Sequence, residues 1–185
     1  NNNSGVIVKP LGKPAYQITH EKHPSIIQDN FVNTLFESKD KVMWIGQRNG
    51  LSIVTPNNQG HRITMKEGKK NLTLCDIRHI SQDKQGNIWL ATDNEGIIRI
   101  SGNARNKKTL KFKQYNPDHH NFAIDDATAC LEDSRGRLWA ISNSGGIFLY
   151  NKVEDRFEPK NHEYHLPGDS VLTIKEDENG KLWLT

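Results

Sequence analysis

The chain has 185 residues, 34% of them hydrophobic and 25% charged, with a formal net charge of +3. This size allows one domain or two small ones, and so small a charge, without a long Lys/Arg run, argues against nucleic-acid binding. No apolar run approaches the ~20 residues that span a bilayer, and no basic-then-apolar leader opens the chain. The four tryptophans, Trp44, Trp89, Trp139 and Trp183, stand 45, 50 and 44 residues apart, and a period in this range marks a repeat architecture.

Taken in chain order, Asn3-Ser4-Gly5-Val6-Ile7-Val8 aligns with Asn94-Glu95-Gly96-Ile97-Ile98-Arg99 further on, so the chain starts in a turn between two strands; residues 16–19 read as an outer strand. Val32 and Leu35 then mark a first strand, Met43-Trp44-Ile45 a second, Arg48-Asn49-Gly50 a turn, residues 51–54 a third strand and 61–65 a fourth. The next copy has Ile77 and Ile80, then Asp83-Lys84-Gln85-Gly86, Ile88-Trp89-Leu90, the turn Asn94-Glu95-Gly96, and strands at 97–100 and 110–115. A third copy has Ala127 and Cys130, Asp133-Ser134-Arg135-Gly136, Leu138-Trp139-Ala140, Ser144-Gly145-Gly146, and strands at 147–150 and 156–160. Val171 and Ile174, Asp177-Glu178-Asn179-Gly180 and Leu182-Trp183-Leu184 begin a fourth.

Three copies share Asp-x-x-Gly-x-(Ile/Leu)-Trp. The Asp side chain can bond turn N–H groups and the Gly can take positive φ. Around Trp44 the aligned Asp and Gly are missing, and a differently built turn is expected there. Unbroken apolar runs around each Trp mean strands buried on both faces, and the polar fourth strands suit an outer edge. Four antiparallel strands per repeat predict an all-β fold, a β-propeller of four-stranded antiparallel blades. The chain divides into half a blade at 1–20, blades at 26–65, 73–116 and 124–160, and half a blade at 168–185. A start without Met and an end within a strand point to an excerpt of a larger ring. Cys75 and Cys130 read as small core residues.

These frames resemble the two-component regulator propeller repeat, whose pattern runs approximately Ile-x-x-Ile-x-x-Asp-x-x-Gly-x-Ile-Trp-Ile-(Gly/Ala)-Thr-x-x-Gly-Gly-Ile. Ile77, Ile80, Asp83, Gly86, Ile88, Trp89, Leu90, Ala91, Thr92, Gly96 and Ile97 follow it closely, and the third and fourth copies follow it well. The sialidase Asp-box differs by one residue between Asp and Gly, and no Trp-Asp ending supports a WD-type repeat. The resemblance implies a periplasmic sensor propeller of a Bacteroides-type hybrid two-component histidine kinase anchored in the inner membrane. It implies partners too: an oligosaccharide ligand, the remainder of the propeller, the membrane kinase and a second copy in a homodimer. The implied output is transcription of polysaccharide-utilisation genes. No catalytic residue, cofactor or metal is expected of this segment. A polysaccharide-degrading propeller lyase or glycosidase, or a protein-binding scaffold, are the alternatives.

Repetition also separates framework from function. Glu37, Glu132 and Glu176 recur seven residues before Trp and read as framework rather than as a hydrolytic pair. The connections from fourth to first strands and the turns between second and third strands share one face and differ from blade to blade. Candidate ligand-binding residues there are Arg48, Asp93, Asn94, His119, His120, Asn143, His162, Tyr164 and His165. His162-x-x-His165 is a weak metal pattern, and Asn71-Leu72-Thr73 an accidental glycosylation sequon.

Overall fold

The computed structural model describes residues 5–67, 70–71, 75–123, 125–144, 146–164 and 170–185. The chain forms two compact units, Asn1–Ile77 and Arg78–Thr185. The fold is all-β, as the repeat predicts.

In the first unit, β1 (Val6–Val8) pairs with β2 (Tyr16–Ile18) in an antiparallel hairpin. A four-stranded antiparallel sheet follows, made in sequence order by β3 (Val32–Glu37), β4 (Met43–Gln47), β5 (Gly50–Val54) and β6 (Gly60–Ile63). Val6, Ile18, Ile27 and Ile45 form a buried cluster. A short hairpin of β7 (Lys66–Glu67) and β8 (Lys70–Asn71) comes next; Leu72 and Thr73 of the sequon lie outside the described residues.

The second unit holds two further four-stranded sheets. One contains β9 (Ile77–Gln82), β10 (Ile88–Thr92), β11 (Ile97–Ser101) and β12 (Lys111–Tyr115). The other contains β13 (Ala127–Glu132), β14 (Leu138–Ser142), β15 (Gly146–Asn151) and β16 (Arg156–Pro159). A single helical turn, α1 (Asn161–Tyr164), leads to the hairpin of β17 (Ile174–Glu176) and β18 (Leu182–Leu184). Every residue of β10 and β14 is buried, which explains their unbroken apolar sequences. Trp89, Tyr115, Phe122, Cys130, Leu138, Phe148 and Phe157 share one cluster. Several of its rings meet edge to face, Phe122 and Phe148 with centroids 4.8 Å apart. Burying one such Trp contributes up to about 5 kcal/mol, from ~200 Å² at ~25 cal/mol/Å². Cys75 and Cys130 are buried thiols.

Trp139 repeats the arrangement against Val171, with Ile174, Leu182 and Leu184 packed beside it. Trp183 departs from the expected core position and is 55% exposed. Successive strand residues point to opposite faces. Leu182 and Leu184 take the covered one, and Trp183 takes the other, with the Lys181 ammonium 4.6 Å from its ring centroid.

The turn before each Trp has one construction throughout. Asp83, Asp133 and Asp177 each accept the indole N–H of the Trp six residues on through Oδ2, at 2.8, 2.9 and 2.9 Å. Oδ1 of each also accepts a turn N–H, from Asn87, Arg137 and Lys181 at 2.8, 2.8 and 2.9 Å. Gly86, Gly136 and Gly180 have positive φ. The turn before Trp44 was expected to differ, and it does not. Ser38 N bonds Val42 O and Lys41 N bonds Ser38 O, matching Asp83 N to Asn87 O and Gly86 N to Asp83 O. Ser38 Oγ takes the Trp44 indole at 3.2 Å, and Lys41 adopts φ 66 in the Gly position. A hydroxyl can replace the carboxylate because accepting one indole N–H needs a single oxygen.

The recurring glutamates also have a structural task. In the second unit, Glu132 Oε2 accepts Lys84 N from the turn of the preceding sheet. Glu176 receives Ser134 N at 2.7 Å and Ser134 Oγ at 2.6 Å in the same way. Within the second unit, Glu132 and Glu176 thus each cap the turn of the sheet before their own.

Candidate functional site

The turns between second and third strands are held by side chains three residues after Trp. Thr92 Oγ1 donates to Gly96 O and accepts Glu95 N, both at 2.9 Å. Gly96 has φ +71, and a Cβ there would lie 2.1 Å from Tyr115 O, so only glycine fits. Gly96 N donates to Asp125 O at 2.7 Å. In the next sheet, Ser142 Oγ and Ser144 Oγ both donate to Asp126 Oδ1, at 3.0 and 2.7 Å. Val171 N donates to Ser142 O at 3.0 Å. The turns and the entries to the first strands are thus bonded into one surface within the second unit.

One position of the repeat stands out. Four residues after Trp lie Arg48, Asp93 and Asn143, all predicted site residues. Each is exposed, and each has a partner in or ahead of a first strand. In the first unit, Arg48 Nε lies 3.5 Å from Asp29 Oδ2, with its guanidinium 4.2 Å from the Phe31 ring centroid. In the second, Asp93 Oδ1 meets Arg78 Nη2 at 2.7 Å, and Asn143 Oδ1 accepts Ser170 Oγ at 2.6 Å. The frame places a side chain at the same repeat position and varies its chemistry and its partner: Arg48 and Asp93 bond within their own repeat, whereas Asn143 reaches Ser170 ahead of the next. Asn94 is exposed beside Asp93. Paired donors and acceptors of this kind suit ligand hydroxyls.

The histidines do not gather with them. His119 Nδ1 lies 2.8 Å from Asn116 Oδ1, within a turn that Asn116 caps. His120 closes that turn at φ 53 and lines a shallow hollow of about 510 Å³ with Phe122, Phe157, Arg156 and Glu158. His162 is exposed on α1, and Tyr164 meets Trp139 edge-on, centroids 5.6 Å apart. His165 lies outside the described residues. Among the described residues, no group of three His, Cys, Asp or Glu is placed to hold a metal, and no helix is long and apolar enough to cross a membrane. The sequence reading missed Arg78 and Ser170. They stand 11 and 13 residues before their own Trp, so no repeat position marks them.

Residues 71–94 match the sequence model of the two component regulator propeller. Histidine kinase P4 from Formosa agariphila is 31% identical over 91 residues, which are 46% of this chain and 7% of that protein. Among solved structures, the fold resembles two extracellular domains from B. thetaiotaomicron named for hybrid two component systems. For BT3049 the identity is 23% and the TM-score 0.71, over 98% of this chain and 24% of that one. For BT4673 the values are 18% and 0.79, over 100% and 26%. Virginiamycin B lyase from Staphylococcus aureus shares the fold at 16% identity and TM-score 0.70, over 99% of this chain and 56% of the lyase. This chain therefore spans about a quarter of the sensor domains it resembles and a small fraction of the kinase. The match to the two component regulator propeller is thus carried by residues 71–94, and the sheets on either side are built on the same Trp-centred frame.

Proposed function

We propose that this chain is a non-catalytic segment of a periplasmic sensor propeller in a hybrid two-component histidine kinase. It binds an oligosaccharide on the face carrying the second-to-third turns, and occupancy passes through the rest of the propeller to a kinase that controls polysaccharide-utilisation genes. The observation that carries this reading is the position four residues after Trp, where a constant frame presents Arg48, Asp93 and Asn143 in turn. A scaffold needing only its fold has no use for such variation at an exposed site. The repeat match and the two-component neighbours support the setting. Signalling also needs the ligand to bind two states of the sensor with different affinity.

Isothermal titration calorimetry of the full sensor protein against a panel of plant, algal and host oligosaccharides tests the reading. Saturable binding of one class is expected. Binding of none removes the reading, and turnover of a polysaccharide replaces it with the enzyme alternative, which shares only the fold of the lyase neighbour.

A further inference from the structure

At the opposite end of the second unit's sheets, between the 83–87 turn and Lys152, lies an open cleft of about 300 Å³. Its polar lining includes Asp83, Gln85, Asn87, Arg99, Glu132 and Lys152, with Tyr150, and Trp89 and Leu138 are its apolar walls. This cleft breaks the repeat. Directly across from Trp44, Trp89 and Trp139 on the third strand stand Ile53, Arg99 and Leu149. Ile53 is fully buried and Leu149 packs beside Trp139, so the frame takes an apolar residue here and works with one. The next residues are Val54, Ile100 and Tyr150. The second unit thus carries an arginine and a phenol at repeat positions where the other copies have aliphatics.

Part of that pair serves the fold. Arg99 Nη1 lies 3.2 Å from Tyr150 Oη and 3.7 Å from Asp155 Oδ1, in a network that includes Tyr115 and Lys113. The remaining bonding capacity is what the cleft offers. Among the described residues, Arg99 makes no hydrogen bond through Nε or Nη2, although its guanidinium lies 5.6 Å from the Trp89 ring centroid. The exposed Gln85 carboxamide has no hydrogen-bond partner among the described residues. The Glu132 side chain is 4% exposed, and its Oε1 has only Lys152 Nζ at 3.9 Å, beyond hydrogen-bonding distance. Glu132 lines the cleft, and this oxygen is an acceptor to which a ligand hydroxyl can donate. Charge is balanced, with Arg99 and Lys152 against Asp83 and Glu132. Balanced charge, mixed donors and acceptors, and aromatic walls suit a neutral polyol. The volume sits at the small end of ligand sites, about 300–1,000 Å³.

We propose that this cleft is a second binding site, separate from the turn face, that takes one neutral sugar ring, either a monosaccharide or the end residue of a glycan. It shares with the function proposed above only the chemical class of the ligand.

The test is ¹⁵N NMR of the full chain titrated with D-glucose, D-galactose, D-mannose, D-xylose and L-fucose. At least one sugar is expected to shift the Trp89 indole N–H and the Gln85 carboxamide together, with saturation. Arg99→Leu, which restores the residue type of Leu149, abolishes the shifts. Gln85→Ala, at an exposed side chain that the fold does not use, weakens binding about tenfold and keeps the test decisive should Arg99→Leu misfold. The proposal is overturned if no sugar moves the Trp89 signal, or if affinity survives Gln85→Ala unchanged. It is also overturned if shifts are confined to Asp93, Asn143 and Ser170, an outcome that leaves the turn-face reading standing. Binding of oligosaccharides to the full sensor with no response here sinks this site alone; absence of both sinks both.

Discussion

Trp139 donates its indole N–H to Asp133 Oδ2 across 2.9 Å, joining the middle of a buried strand to the turn that precedes it. The same carboxylate accepts Arg135 N, Arg137 N and Arg137 Nε at 2.7 to 3.0 Å, with its own side chain fully buried. Asp133→Ala leaves the indole without an acceptor and should cost roughly 2–4 kcal/mol. Asp133→Ser, copying Ser38, should recover part of that. Urea unfolding checks both, as a lowered midpoint at unchanged slope.

Lys41 occupies a left-handed conformation, φ 66, where the other copies have glycine. An L-residue pays about 1 kcal/mol there, while the exposed Lys41–Glu37 ion pair returns a few tenths at most. Lys41→Gly should therefore raise stability by about 0.5 kcal/mol, and Gly136→Lys should lower it by about 1 kcal/mol. Thermal melts of the two variants should move in opposite directions.

Acid should weaken the second unit through Asp155. Burial pushes its carboxyl up, but Lys113 and the hydroxyls of Tyr150 and Tyr115 override this and hold it at about 2. An unfolded Asp titrates near about 3.9. The folded value is the lower, so the contribution is complete above about 4 and is lost as pH falls toward 2. Asp133 is held below its ordinary range as well, burial opposing and the Trp139 indole and Arg137 prevailing. The urea midpoint should fall between pH 4 and 2, and Asp155→Asn, acceptable at φ 50, should flatten part of that slope.

Glu176 caps Ser134 N from the neighbouring sheet. Glu176→Ala should speed hydrogen exchange at the Ser134 amide by about tenfold or more, whereas Glu176→Gln keeps one acceptor and should change it little. Equal rates in both variants would count against the cap.

On the turn face, Asp93→Ala and Asn143→Ala should each weaken oligosaccharide binding by about fivefold to fiftyfold, with melting temperature moving by less than about 2 °C, because both side chains are exposed. Calorimetry and a melt on the same samples separate the two effects.

Much of the architecture could be read directly from the chain. The Trp spacing, the Asp-x-x-Gly turns and the apolar runs of β10 and β14 follow from strand geometry, which is local. The turn before Trp44 was misjudged because residue types were compared instead of their tasks. Ser38 does the work of an Asp, and Lys41 pays the conformational cost a Gly avoids. The turn-face partners Arg78 and Ser170 were not legible, since which entry residue meets Asp93 or Asn143 depends on how each connection folds. Arg99 could have been found: aligning third strands against their Trp shows it beside Ile53 and Leu149.

Each Trp and its acceptor, Asp or Ser, are six residues apart, yet the tryptophans themselves are 45, 50 and 44 apart. All slack therefore lies outside the bonded frame, as in the stretches around 102–110 and 116–126. One residue inserted between Asp133 and Trp139 would pull the indole off its acceptor and invert the strand's inward and outward faces. Several inserted near His120 would disturb no shared bond of that frame. The molecule thus divides its length into a counted part and an uncounted part, and a recognition surface can grow in the second without retuning the first.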